Sequence, residues 1–164
     1  MLSRAAKERG CILIINDHGD IAKAVNADGV HLGQDDLPVA DARKLLGKEY
    51  LIGISTHSRE QAIAAAAGGA DYIGFGPIFP TKTKDAGQVQ GTDELKRVCA
   101  AVDIPVLAIG GITLQNAAAV MNAGAAGIAV ISAVLAAQNV SAAAKEFVAM
   151  ASTNHSREHA GGGA

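Results

Sequence analysis

Residues 70–80 read Ala-Asp-Tyr-Ile-Gly-Phe-Gly-Pro-Ile-Phe-Pro. Ala70-Asp71 closes an alanine-rich stretch of helical spacing, and Tyr72–Phe75 is a short apolar run that has the length of a strand. The same grammar of helix end, tight turn and buried strand returns at Ala27-Asp28-Gly29-Val30 and at Ala125-Ala126-Gly127-Ile128. Working outward, apolar runs occur at Cys11–Ile15, Gly29–Leu32, Leu51–Ile54, Tyr72–Phe75, Pro105–Ile109 and Gly127–Ile131. They lack strict alternation, as strands buried on both faces of a parallel sheet do. Helices are expected between them, near Asp20–Asn26, Val39–Leu46, Arg59–Ala67, Asp93–Val102, Gln115–Ala123 and Ala133–Ala137, and finally at Ala142–Ala151. Ser58, Thr92 and Thr113 are candidate caps. Repeated βα units imply right-handed crossovers and one parallel sheet.

The chain has 164 residues, 49% of them hydrophobic but only 3% aromatic, so its core must be aliphatic. No interior linker interrupts it. One domain is expected over residues 1–151, with a disordered tail at 152–164 that has almost nothing apolar to bury. His155 and His159 in that tail read as solvent-exposed. Fourteen basic against sixteen acidic residues leave a formal charge of −2, which offers no footprint for nucleic acid or an anionic membrane. No apolar stretch approaches the ~20 residues that span a bilayer. The expected location is the cytoplasm. Cys11 and Cys99 have neither zinc nor disulfide spacing and read as buried, reduced thiols.

In parallel β/α folds ligands meet the carboxyl ends of the strands. Here those ends carry Asn16-Asp17, His31 with Gln34, Asp35 and Asp36, then Ser55 and His57, a long excursion from Gly76 to Lys84, Gly110-Gly111, and Ser132. Carboxylates from two strand tips, Asp17 with Asp36 or Asp35, suit Mg²⁺, which fills the rest of its shell with phosphate oxygens and water; they serve equally as cap and turn residues. Gly110-Gly111 with Ile131-Ser132 reads as a phosphate cradle or as a pair of empty tight turns. Thr81, Thr83 and Lys84 read as an anion clamp, and Lys82 as solvated. His57 reads as structural, while His31 divides evenly between substrate and structure. There is no nucleophile elbow, P-loop or zinc spacing.

These residues, taken in order, resemble a known family. Ile14-Ile15-Asn16-Asp17, His31-Leu32-Gly33-Gln34-Asp35-Asp36, Gly53-Ile54-Ser55-Thr56-His57, Gly74–Lys84 and Ala108-Ile109-Gly110-Gly111-Ile112 are similar to thiamine-phosphate synthase from about residue 1 to 150. The Gly-Pro-Ile-Phe-Pro-Thr-x-Thr-Lys and His-Leu-Gly-Gln-x-Asp runs are the most specific. The resemblance implies a (β/α)₈ barrel of TIM type and a Mg²⁺-dependent transferase. Such an enzyme joins hydroxymethylpyrimidine diphosphate to a thiazole phosphate, giving thiamine phosphate and pyrophosphate. By the same resemblance Asp17 and Asp36 hold Mg²⁺, and Asn16, Ser55 and Lys84 bind the pyrimidine diphosphate. Thr81, Thr83, Gly111, Ile131 and Ser132 hold the thiazole phosphate, and closure of the Thr81–Lys84 loop would exclude water. About six βα units are present against the family's eight. The family pattern therefore places the start of this chain within the second helix, without the first two strands and their Gln-Leu-Arg-x-Lys segment. Self-association through open sheet edges is an expectation of that shape. A thiazole tautomerase-like relative and a non-catalytic phosphate-binding module are the rival readings.

Overall fold

The computed structural model describes residues 2–81 and 87–158. Six strands run β1 (Ile14–Asn16), β2 (Gly29–Leu32), β3 (Leu51–Thr56), β4 (Tyr72–Phe75), β5 (Val106–Ile109) and β6 (Gly127–Ala129). All pair in parallel, each with its sequence neighbour, in the order β1 to β6. Helices α2 (Gly19–Ala24), α3 (Val39–Leu46), α4 (Arg59–Ala67), α5 (Gly91–Cys99) and α6 (Ala117–Asn122) connect successive strands. The short α7 (Ser132–Leu135) and the long α8 (Val140–Glu158) follow β6, and α1 (Leu2–Glu8), which the apolar pattern did not announce, precedes β1. Six βα units in unbroken order make an incomplete barrel of TIM type, as expected. β1 and β6 lie at its two open edges.

The core lies between sheet and helices. Val30, Leu32, Ile52, Ile54, Ile73, Phe75, Val106 and Ala108 alternate along the strands and pack with Ala22, Ala42, Ala62, Leu95, Val98 and Val120 of the helices. Alanine lets α2, α4 and α6 sit close to the sheet, so a chain with few aromatics still fills its core. The other face is also covered, as expected of a parallel sheet, but less completely. It carries His31, Gly53, Ser55, Tyr72 and Gly74, a polar and glycine-lined surface; His31, Ser55 and Tyr72 are half-buried there, and the two glycines buried. The same face also carries Ile14, Leu51 and Leu107, all half-buried, so the absence of alternation in the sequence reflects glycines and aliphatic side chains sharing this inner face.

The internal repeat has a hydrogen-bond basis. The backbone N–H groups of Asp28, Asp71 and Ala126 donate to the carbonyls of Leu13, Ile52 and Val106 at 2.8–2.9 Å. In the first two units the aspartate returns the bond: Leu13 N–H donates to Asp28 Oδ2 and Ile52 N–H to Asp71 Oδ2, each at 2.7 Å. The third unit has alanine in that place. Asp71 also receives Arg43 Nη2 at 2.6 Å, and Arg43 Nη1 reaches the Tyr50 carbonyl. The amino-terminal end of the sheet is thus laced by carboxylate and guanidinium bonds.

Boundaries shift in instructive ways. β1 begins at Ile14, not Cys11, and Cys11 is exposed instead of buried, because the preceding turn folds its N–H back to the Ala6 carbonyl at 2.9 Å. Cys99 is half-buried, and that environment raises its thiol pKa. Ser58 caps α4 as expected, accepting from Gln61 N–H at 3.2 Å. Thr92 lies inside α5, which starts at Gly91 after Gln90. At α6 the bonding side chain is Asn116, not Thr113. The last helix continues to Glu158, beyond the expected end at Ala151. Propagating a helix already anchored by the buried Phe147 requires little from the residues that follow. His159 lies outside the described residues.

Candidate active site at the carboxyl end of the sheet

β1 ends in Asn16, and the chain turns at once. Asp17 has φ +64°, and its N–H donates to the His31 carbonyl at 2.8 Å, tying the end of β1 to β2. A non-glycine residue held in the left-handed region costs free energy and persists where the surroundings impose it. Both Asn16 and Asp17 are exposed. After β2 the chain doubles back so that Asp36 Oδ2 accepts the Gly33 N–H at 2.6 Å. That bond fixes one oxygen of Asp36 and leaves its Oδ1 as the candidate ligand. Asp35 and Asp36 are both exposed, but the Gly33 bond belongs to Asp36.

No group of three or more histidine, cysteine or carboxylate side chains gathers among the described residues. A protein-only cage for a cation is therefore not formed by them. Two exposed carboxylates at the tips of adjacent strands do fit Mg²⁺, which keeps several waters and shares its shell with phosphate oxygens.

Ser55 sits deeper. Gln34 Nε2 donates to its carbonyl at 2.6 Å, and its hydroxyl lies 2.9 Å from His31 Nε2. His31 Nδ1 in turn lies 3.1 Å from the Tyr72 hydroxyl. Tyr72 is pushed up to about 12, first by burial and second by the Asp71 charge, so it keeps its proton. Gly53 makes this layer possible, since a methyl there would overlap the Tyr72 ring and His31 Nδ1.

The long excursion after β4 is stitched to β5. Ile78 and Phe79 N–H groups donate to the carbonyls of Ile109 and Gly110 at 2.9 and 3.0 Å. His57 Nδ1 bonds the Gly76 carbonyl at 2.7 Å, which gives that histidine the structural role expected of it. Gly76-Pro77 is a cis peptide. Gly111 has φ +65° and packs against the carbonyls of Phe79 and Pro80, where a Cβ would stand 2.7 and 2.5 Å from the two oxygens. The result is a cleft of about 440 Å³ lined by Pro80, Thr81, Gly111, Ile112, Thr113, Ser132 and Ala133. Ile131, the residue before α7, is exposed and is not part of the lining.

The structure thus brings Thr81, Gly111 and Ser132 around one cleft, and puts Asn16, Asp17, Asp36 and Ser55 at the ends of β1 to β3. Lys82, Thr83 and Lys84 lie outside the described residues. Sequence reasoning missed Tyr72, whose role shows only through the register that sets it beside Gly53. It also missed Asn116, which accepts from Thr113 N–H at 2.8 Å and donates to the Gly111 carbonyl at 3.0 Å. Asn116 therefore takes up one N–H that the glycine turn would otherwise offer to a phosphate.

Comparison with known proteins bears on this arrangement. Residues 1–134 match the family model of thiamine monophosphate synthase. Thiamine-phosphate synthase of Chloroflexus aurantiacus is 52% identical over 152 residues, covering 92% of this chain and 70% of that protein. The Chlorobium luteolum enzyme of the same name is 50% identical, with coverage of 93% and 72%. Among solved structures, thiamine phosphate pyrophosphorylase from Pyrococcus furiosus superposes with a TM-score of 0.87 at 40% identity, over 93% of this chain and 73% of that one. The chain belongs to the thiamine monophosphate synthase family.

Proposed function

We propose that the chain condenses hydroxymethylpyrimidine diphosphate with a thiazole phosphate, releasing pyrophosphate and forming thiamine phosphate, in the cytoplasm. The observation that carries this reading is the pairing of two polar half-sites at one end of one sheet. Asp17 and Asp36 follow β1 and β2, Ser55 lies within β3 just before its last residue, Thr56, and the cleft of Thr81, Gly111 and Ser132 follows β4 to β6. A transferase that joins two phosphorylated substrates needs two such half-sites facing a common space. A thiazole tautomerase-like relative or a phosphate-binding module would need only the second.

Asp17 and Asp36 would hold Mg²⁺, and Mg²⁺ would supply positive charge against the diphosphate oxygens as they take up the electrons of the breaking C–O bond. Asn16 and the Ser55 hydroxyl would bind the same diphosphate, with Lys84 as its cationic partner. Gly111, Thr81, Ser132, Ile131 and Thr83 would seat the thiazole phosphate. The bond that breaks joins the pyrimidine methylene carbon to oxygen, and pyrophosphate leaves with the electron pair. The bond that forms joins that carbon to the thiazole nitrogen. Fixed dipoles and a bound cation near the leaving oxygens favour this step more than they favour the bound substrate.

The test is thiamine phosphate formation from both substrates, with and without Mg²⁺, over a wide range of protein concentration. Mg²⁺-dependent product is expected, and Asp17→Asn or Asp36→Asn should lower kcat/KM by at least about a hundredfold, the usual scale for a lost charge contact in the transition state. A folded chain that binds thiazole phosphate and gives no product at any concentration overturns the reading and favours the binding module.

A further inference from the structure

Tyr72, His31 and Ser55 form a line of side chains across three neighbouring strands, with contacts of 3.1 and 2.9 Å. Register explains the line. His31 pairs with Gly53, and Gly53 pairs with Tyr72, so the two large rings flank a position that has no side chain. Their centroids lie 5.5 Å apart. Ser55 stands two residues farther along β3 on the same face, with its backbone held by Gln34.

We propose that Tyr72 and His31 are positioning residues that turn the Ser55 hydroxyl proton outward, toward an anionic oxygen of the bound diphosphate. In this chain Tyr72 O–H donates to His31 Nδ1, and His31 Nε2–H donates to Ser55 Oγ. The proposal rests on the reading that Ser55 faces the pyrimidine diphosphate.

With a neutral imidazole the two contacts admit two polarities. In the opposite one Nδ1–H donates to the tyrosine oxygen and Nε2 accepts the only proton of Ser55. The serine would then offer an anion nothing but lone pairs. An oxyanion needs donors, and buried groups that mispair lose the full value of the bond. The polarity that serves an anion is therefore the one in which every member donates in the same direction. Tyr72 suits the first place because it stays a phenol and can always give its proton. Histidine suits the second because a single neutral ring accepts at one nitrogen and donates at the other. Such a chain acts on ground-state binding of one substrate, so it should move KM for the diphosphate more than kcat.

Nitrogen-15 NMR of the full chain labelled at histidine tests the polarity without any assay, with His31 assigned by loss of its signals in His31→Gln. The expected result at neutral pH is a protonated Nε2 and a bare Nδ1, shifting toward the other tautomer in Tyr72→Phe. Steady-state kinetics then read the consequence. His31→Ala should raise KM for the pyrimidine diphosphate about tenfold, the value of one well-placed hydrogen bond, and leave KM for the thiazole phosphate unchanged. His31→Gln, whose amide can still donate toward Ser55, should recover most of that loss. A wild-type ring protonated at Nδ1, or a tautomer indifferent to Tyr72→Phe, overturns the chain whatever the enzyme does. The expected tautomer with no change in diphosphate KM in His31→Ala overturns its role at the substrate and leaves the condensation standing. If the wild type makes no product, calorimetric binding of pyrophosphate with Mg²⁺ to wild type and His31→Ala takes the place of KM, and equal affinities overturn the proposal.

Discussion

Gly111 and Gly53 show how a missing side chain shapes the site. At Gly111 a methyl would press on two carbonyl oxygens of the Phe79–Pro80 segment and would occupy φ +65°. Gly111→Ala should therefore displace that segment, costing about 1–2 kcal/mol of stability and weakening thiazole phosphate binding more than diphosphate binding; thermal melts and substrate-resolved KM values check both parts. Tyr72 gives a pH signature of its own. Its pKa is raised from the ordinary tyrosine value to about 12, so the folded state holds its proton more tightly than the unfolded state. Its contribution to stability is complete below about pH 10 and is lost as pH rises from there through about 12. Ultraviolet titration should show one late-ionising phenol, absent in Tyr72→Phe, and that variant should lose less stability over the same interval. Tyr72 and Asn116 also mark the limit of reading residues one by one. Asp17, Asp36, Ser55 and Gly111 could be found because they lie within four residues after apolar runs. Tyr72 opens such a run and looks like core, and only strand register reveals that it faces His31.

At the scale of elements, the Ala-Asp signature before β2 and β4 was legible because it repeats, and the structure supplies its cause in the paired bonds between each aspartate and the preceding strand unit. The helices α3 and α4 could be bounded from sequence because Pro38 and the Ser58 cap mark their starts. α5 and α6 were harder: Gly91 has φ +76° and still opens a helix, and Asn116 bonds where Thr113 looked like the cap. The start of β1 is not legible in sequence because Cys11-Ile12 is apolar yet exposed, a case where hydropathy alone says nothing about burial. The repeat makes a graded prediction. Asp28→Ala removes one carboxylate bond, whereas Asp71→Ala removes a backbone bond and leaves the half-buried Arg43 without its carboxylate. Chemical denaturation should show a loss of about 1 kcal/mol for the first and about 2–3 kcal/mol for the second. Equal losses would mean that the Arg43 ion pair is worth nothing beyond its carbonyl bonds to the loop.

Across the whole molecule, stability and chemistry are distributed in opposite senses. The inner strands β2 to β5 pair on both sides and contribute the fully buried Val30, Ile52, Ile73, Phe75 and Ala108. β1 and β6 are three residues long, pair on one side only among the described residues, and contain no fully buried position. Local opening follows such differences, because fewer apolar contacts and one-sided ladders lower the cost of exposing an amide. Hydrogen exchange should accordingly be at least about tenfold faster in β1 and β6 than in β3 and β4. Yet β1 leads directly into Asp17, and β6 leads through Ile131 to Ser132. Each proposed substrate is thus held in part by one of the two least protected edges and in part by the inner strands. A ligand that binds only the closed arrangement stabilises it by RT ln(1 + [L]/Kd), about 2.7 kcal/mol at a hundredfold excess over Kd. Pyrophosphate with Mg²⁺ should therefore slow exchange in β1 and the following turn, and thiazole phosphate should slow it around β6 and α7, while β3 and β4 change little. Protection by Mg²⁺-pyrophosphate at β6 alone would place the diphosphate in the cleft of Gly111 and Ser132 and reverse the assignment of the two half-sites.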